Sequence, residues 1–98
     1  MANSKSNPQK LDVFSLFLPE IRELIEKRDF AVLKEVLRKI NSIDTAEGWL
    51  LLSPQERLLV FKLLAPRKAV EVFEDLRFDE QSYLLKNLNN DEVSLILN

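Results

Sequence analysis

The chain has 98 residues, with 14 basic against 16 acidic side chains, a net charge of −2 and 46% apolar residues. That is one small globular domain, long enough to bury roughly two-thirds of its unfolded surface and too apolar to be disordered. Near-neutral charge argues against nucleic acid as the main partner, because phosphate backbones demand a basic face. There is no histidine and no cysteine, which removes disulfides, thiolate and imidazole metal sites, thiol nucleophiles and the serine–histidine triad. The single glycine, Gly48, leaves no glycine-rich phosphate loop. No run of about 18 apolar residues occurs, so no direct membrane insertion is expected. An enzyme is not expected and no catalytic residue is assigned. A carboxylate-only hydrolase would need two acids across a cleft with perturbed pKa values.

Residues 1–9 open with the polar stretch Met1-Ala2-Asn3-Ser4-Lys5-Ser6-Asn7-Pro8 and read as a flexible leader without an apolar signal core. Residues 10–98 read as one helical domain. Helices are expected over 10–18 and 19–27, because Pro19 either starts a helix or breaks one begun near Leu11. Phe14, Leu16, Phe17 and Leu18 form an apolar cluster suited to covering the first unit of a helical stack, the alternative being a docking helix for another chain. Over 30–40, Phe30, Leu33, Val36, Leu37 and Ile40 recur at offsets of three and four, giving one stripe. A helix over 44–51 is expected from Asp44-Thr45-Ala46-Glu47, with Asp44 as its cap. Ser53-Pro54-Gln55-Glu56 opens a helix over 54–64 with a capping box and proline at the first helical position. That helix is apolar on a wide face and should lie between two others. Pro66 opens 66–75, a helix follows over 78–87, and Asn89-Asn90-Asp91-Glu92 opens the last over 90–97. Nothing alternates with period two. The chain stops at Asn98 just after Leu95-Ile96-Leu97, an apolar face that anticipates either a larger parent protein or an open interface.

These elements repeat. Val36, Val60 and Leu84 correspond at a spacing of 24 residues, as do Leu37, Phe61 and Leu85, and Ile40, Leu64 and Leu88. Ala46 matches Val70, and Trp49 matches Phe73 and Leu97. Asp29, Ser53 and Arg77 stand where each unit would open. A period of this size marks stacked helical pairs, each stabilised by covering its neighbour. The fold class is therefore all-α, a right-handed superhelical stack of short helices. Such stacks present surfaces to partners more often than they build catalytic pockets.

Charge is uneven along the chain. Residues 1–68 hold 12 basic and 9 acidic side chains, and residues 69–98 hold 2 and 7, so the net charge changes from +3 to −5. Glu71, Glu74, Asp75, Asp79 and Glu80 crowd one decade with only Arg77 for balance. Glu71 lies at i, i+3 from Glu74 and i, i+4 from Asp75, so the three share a helix face and a cation would relieve their repulsion. Arg38-Lys39 and Arg67-Lys68 read as solvated faces, with an acidic neighbouring module as the alternative partner of either, and Trp49 as a side chain packed between helices.

Residues 29–88 resemble the cytosolic N-terminal domain of the MgtE family of magnesium channels, and the likeness extends to about 97. It rests on "DFAVLKEVLRKI", Asp44, Trp49, "LSPQERLLVFKLLAPRKAVEVFEDL" and "DEQSYLLKNL". Arg77-Phe78 replaces the small cap and proline usual in that family. The resemblance implies a cytosolic regulatory domain below the transmembrane pore domain of a homodimeric parent, beside a CBS module. It implies magnesium bound between acidic residues of the two modules, holding the assembly closed. Glu71, within "AVEVFEDL", matches a glutamate of that inter-domain site, and the other ligands implied fall beyond Leu97. For Glu74, Asp75, Asp79 and Glu80 a solvated acidic face is the expected reading. The alternative for the whole chain is a stand-alone protein-interaction module without a metal role, like the related helical superhelix of the flagellar motor protein FliG.

Overall fold

The 24-residue recurrence reappears in the positions where helices begin. The computed structural model of the chain describes residues 12–89, and over these the protein is all-α. The elements are α1 (Val13–Lys27), α2 (Phe30–Arg38), α3 (Ser42–Glu47), a 3-10 turn (Trp49–Leu51), α4 (Pro54–Leu63), α5 (Pro66–Asp75) and α6 (Phe78–Asn87). Asp29, Ser53 and Arg77 are the N-caps of α2, α4 and α6, while Asn41 and Ala65 are those of α3 and α5. Two interleaved series, each 24 residues apart, therefore set out the helix pairs. The leader and the helix expected over 90–97 lie outside the described residues. Among those residues no helix is long and apolar enough to cross a membrane.

Local chemistry accounts for most boundaries. Ser53 Oγ accepts from the Glu56 amide at 3.3 Å, and the Ser53 amide donates to Glu56 Oε1 at 2.8 Å. Both halves of the capping box are thus made, which stabilises α4 by about 1 kcal/mol. α4 ends where Leu64 and Ala65 turn extended, as the residue before Pro66 must to avoid the proline ring. α1 ends in a left-handed residue, Arg28 at φ 58°. The amides of Arg28 and Asp29 there donate back to Ile25 and Leu24 at 3.0 Å, the paired bonds of a Schellman closure.

Two expectations about the helix boundaries are corrected. α1 runs unbroken through Pro19. An interior proline costs about 3 kcal/mol in lost hydrogen bonding and ring clash. Burial offsets it: Phe14, Ile21 and Leu24 are buried along this helix, and Phe17, Leu18 and Ile25 pack against the core. Each such side chain contributes about 1.5–3 kcal/mol, and a break at Pro19 would split the face that carries them. Pro19 itself is exposed, as is Leu16. The second correction is the start of α3. Asn41, not Asp44, caps it, with Asn41 Oδ1 accepting from the Asp44 amide at 2.8 Å. Asp44 lies in the first turn, where a carboxylate suits the positive end of the helix.

The core is continuous along the repeat. Val36, Val60 and Leu84 are buried together with Ile40, Leu64 and Leu88. Trp49 meets the edge of Phe61 at 6.3 Å, and Phe61 meets Phe73 at 6.4 Å, an aromatic series running from one unit to the next. α1 packs against α2 and α3 and so covers the first unit. This approach is close enough to require glycine: a Cβ on Gly48 would lie 2.4 Å from Phe14 Cβ and 2.7 Å from its Cγ.

Side chains distant in sequence tie the units together. Arg22 on α1 donates to the Leu51 carbonyl at 2.9 Å and pairs with Glu56 at 3.2 Å. Arg57 of α4 reaches both carboxylate oxygens of Glu80 on α6 at 3.2 and 3.3 Å, with both side chains largely buried. Lys68 of α5 donates to the carbonyls of Leu37, Arg38 and Ile40 at 3.2, 3.1 and 2.6 Å. Its ammonium thereby closes the C-terminus of α2, where orphan carbonyls and the helix dipole both favour a cation. Lys68 is therefore a cap, not the solvated residue expected from Arg67-Lys68.

Candidate divalent-cation surface between α3 and α5

The second helices of neighbouring units, α3 and α5, pack side by side. Their seam carries the acids of α5. Glu71, Glu74 and Asp75 line one shallow recess with Asn41, Ser42 and Ile43. Asp75 continues into a second recess with Ile43, Ala46 and Glu47. Neither recess is lined by a basic side chain. Ile43 stands between them 61% exposed, an apolar contact within an acidic rim.

Glu71 is the one member held across the seam. Ser42 Oγ donates to Glu71 Oε1 at 2.5 Å, so a hydroxyl at the first turn of α3 orients a carboxylate on α5. Lys68, one turn before Glu71, is near enough for their charges to interact, yet its three protons are committed to α2 carbonyls. Burial pushes the Lys68 ammonium below the usual lysine range; Glu71 opposes that shift and Arg38 adds to it. The remaining acids of the crowded decade are elsewhere. Asp79 pairs with Arg77 at 3.5 Å on the surface. Glu80 is bound by Arg57, so it is a structural ion pair and not part of a solvated acidic face.

Magnesium takes hard oxygen ligands and retains several waters, so it needs few protein carboxylates from any one surface. The donor set at the seam has this chemistry: exposed carboxylates, a hydroxyl and an amide oxygen, with no basic side chain in the lining. Among the described residues no group of three or more acidic side chains is spaced to hold a metal ion.

Sequence reasoning named Glu71 and its helix neighbours but missed Ser42, Asn41 and Glu47. The repeat held a usable signal. It implies that second helices of successive units stack, and so brings residues near 42 against those near 71.

The described residues form an all-helical domain of stacked pairs with an acidic seam between α3 and α5. The family model described as the MgtE intracellular N domain matches residues 40–98, more than half of the chain, and the protein belongs to that family. The matched span takes in α3 through α6 and the whole acidic seam; α1 and α2 precede it. No curated protein and no solved structure gave a match to the chain.

Proposed function

We propose that this chain is the regulatory N domain of an MgtE-type magnesium channel, cytoplasmic and non-catalytic, and that it contributes carboxylates to magnesium-dependent packing against a CBS module. The parent is then a homodimer with a transmembrane pore domain. Family membership supports the regulatory assignment. The observation that carries the metal reading is the α3–α5 recess, where Glu71 is oriented by Ser42 beside Glu74 and Asp75 and no cation lines the surface.

Glu71 is the residue expected to face the ion. Ser42 spends its hydroxyl on one glutamate oxygen and reduces the freedom the carboxylate loses on binding. Glu74 and Asp75 keep the recess negative, so a second acidic surface is repelled at low magnesium. A bound magnesium ion supplies the positive charge and ordered waters that let two such surfaces approach. Ile43 then offers apolar area to the arriving module. Affinity of the chain alone should be weak, around the millimolar range of the weakest carboxylate sites.

The test is titration of the parent's CBS module into the 98-residue chain, with magnesium and with chelator. Binding should require magnesium and be lost in Glu71→Gln, which keeps an acceptor for Ser42 and should change stability by less than about 0.5 kcal/mol. Equal binding in chelator would overturn the metal reading in favour of a stand-alone interaction module. A large stability loss in Glu71→Gln would make Glu71 structural.

A further inference from the structure

A second groove carries the opposite charge. Lys34 and Arg38 of α2, Lys62 of α4 and Lys68 of α5 line it without any acidic side chain, above Leu63 and Leu64. It shares no residue with the acidic recess. In a chain of net charge −2, four cations gathered on one cavity form a local field against the overall balance, offset only in part by the carbonyls that hold Lys68 and by Glu35 beside Arg38.

The four cations differ in availability. Lys68 has its protons on the carbonyls of α2 and contributes charge but no free donor. Arg38 makes only a surface pair with Glu35 at 3.5 Å, which is worth little in water. Lys34 and Lys62 are exposed and enter none of the ion pairs of the described residues. Packing therefore accounts for Lys68 but for neither free lysine.

The groove wall also includes Ala65 and Pro66, the start of α5. Asn41 and Ser53 cap their helices with side-chain oxygens, whereas Ala65, at the equivalent place, has none. Pro66 has no amide to offer, so the first amides of α5 are those of Arg67 and Lys68, and of these two residues Lys68 lines the groove. Uncapped first-turn amides add donors and positive potential for an anion. The cavity, about 380 Å³, is of the size that holds small ligands.

We infer that this groove between α2 and the α4–α5 junction is a binding site for a phosphate-bearing anion. Lys34 and Lys62 supply movable ammonium donors, Arg38 a planar guanidinium suited to phosphate oxygens, and the first turn of α5 fixed amides. The phosphate belongs either to a soluble polyphosphate or phosphate ester, or to the headgroup of an anionic lipid. Lys34 and Arg38 precede the span matched by the family model, and the inference does not depend on the magnesium reading.

Two arms test it, both on the 98-residue chain in chelator so that the acidic recess takes no part. Inorganic pyrophosphate is titrated while backbone amides are followed by NMR, and cosedimentation compares phosphatidylglycerol vesicles with phosphatidylcholine vesicles. Saturable shifts at the amides of the groove residues Lys34 and Lys68 would identify a soluble phosphate as ligand. Selective binding to the anionic vesicles without those shifts would identify the headgroup. In either case Lys34→Gln/Lys62→Gln should weaken binding about tenfold or more and leave the melting temperature unchanged, since both lysines are exposed. Failure of both probes, shifts centred away from the groove, or binding indifferent to the double substitution would overturn the site.

Discussion

Gly48→Ala is the sharpest single test of how α1 joins the stack. The glycine has φ −92°, which any residue adopts, so backbone freedom is not the issue and only space is. The added methyl would fall 2.4 Å from Phe14 Cβ, 2.7 Å from Cγ and 2.8 Å from Cδ2, against an ordinary carbon–carbon contact of about 3.5–4.0 Å. Phe14 cannot turn away, because its Cβ is fixed to the α1 backbone and the side chain is fully buried. Relief requires α1 to move by roughly 1 Å against α3, loosening the packing of Ile21 and Leu24 as well. Overpacking of this kind costs about 1–3 kcal/mol. The upper half of that range applies here because the obstruction is a β-carbon, not a flexible tip. The small unfolded-state gain from replacing glycine, about 0.4–1 kcal/mol, does not offset it. A net loss near 2 kcal/mol should lower the melting temperature by about 8–16 °C in a domain of this size. It should also shift the urea midpoint with little change in slope. A loss below about 0.5 kcal/mol would refute the close approach of α1 to Gly48 and with it the seating of the first helix.

Lys68→Met should destabilise by about 1–2 kcal/mol in urea unfolding, since it removes three hydrogen bonds to the end of α2 and leaves carbonyls that water reaches only partly; a neutral result would return Lys68 to the solvated surface. Arg28→Gly should stabilise by about 0.5–1 kcal/mol, because glycine adopts the left-handed closure of α1 without the Cβ penalty; a loss would mean that the arginine side chain has a role of its own. Glu56 supplies a pH dependence. Burial alone would raise its pKa, but the Ser53 amide, Arg22 and the Ser53 hydroxyl together hold the carboxyl below its ordinary value near 4.5. A carboxyl with a depressed folded-state pKa contributes its full stability above the unfolded value and loses it as pH falls through the folded one. Unfolding free energy should therefore decline as pH drops below about 4.5, and Glu56→Gln should flatten that decline. An unchanged acid limb would exclude Glu56 as a source.

Residues close in the chain settled the helices. The stripe from Phe30 to Ile40, the Ser53–Glu56 box, Pro54 and Pro66 at first helical positions, and the 24-residue phase act within one or two turns. Their consequences are therefore readable before any folding, and α5 and α6 span the residues expected of them. The same local reading placed Glu71, Glu74 and Asp75 on one face. It misjudged Pro19 and Asp44 because propensity there is outweighed by packing of the α1 face and by Asn41 three residues earlier. What no local pattern contains is the meeting of separate segments. Ser42 finds Glu71, Arg57 finds Glu80, Lys68 finds the end of α2, and Gly48 admits Phe14 only once the helices are stacked. A side chain's charge, size and hydrogen-bonding capacity are fixed by its identity, but whether it becomes a ligand, a cap or a buried pair depends on which distant atoms tertiary packing brings within about 3 Å.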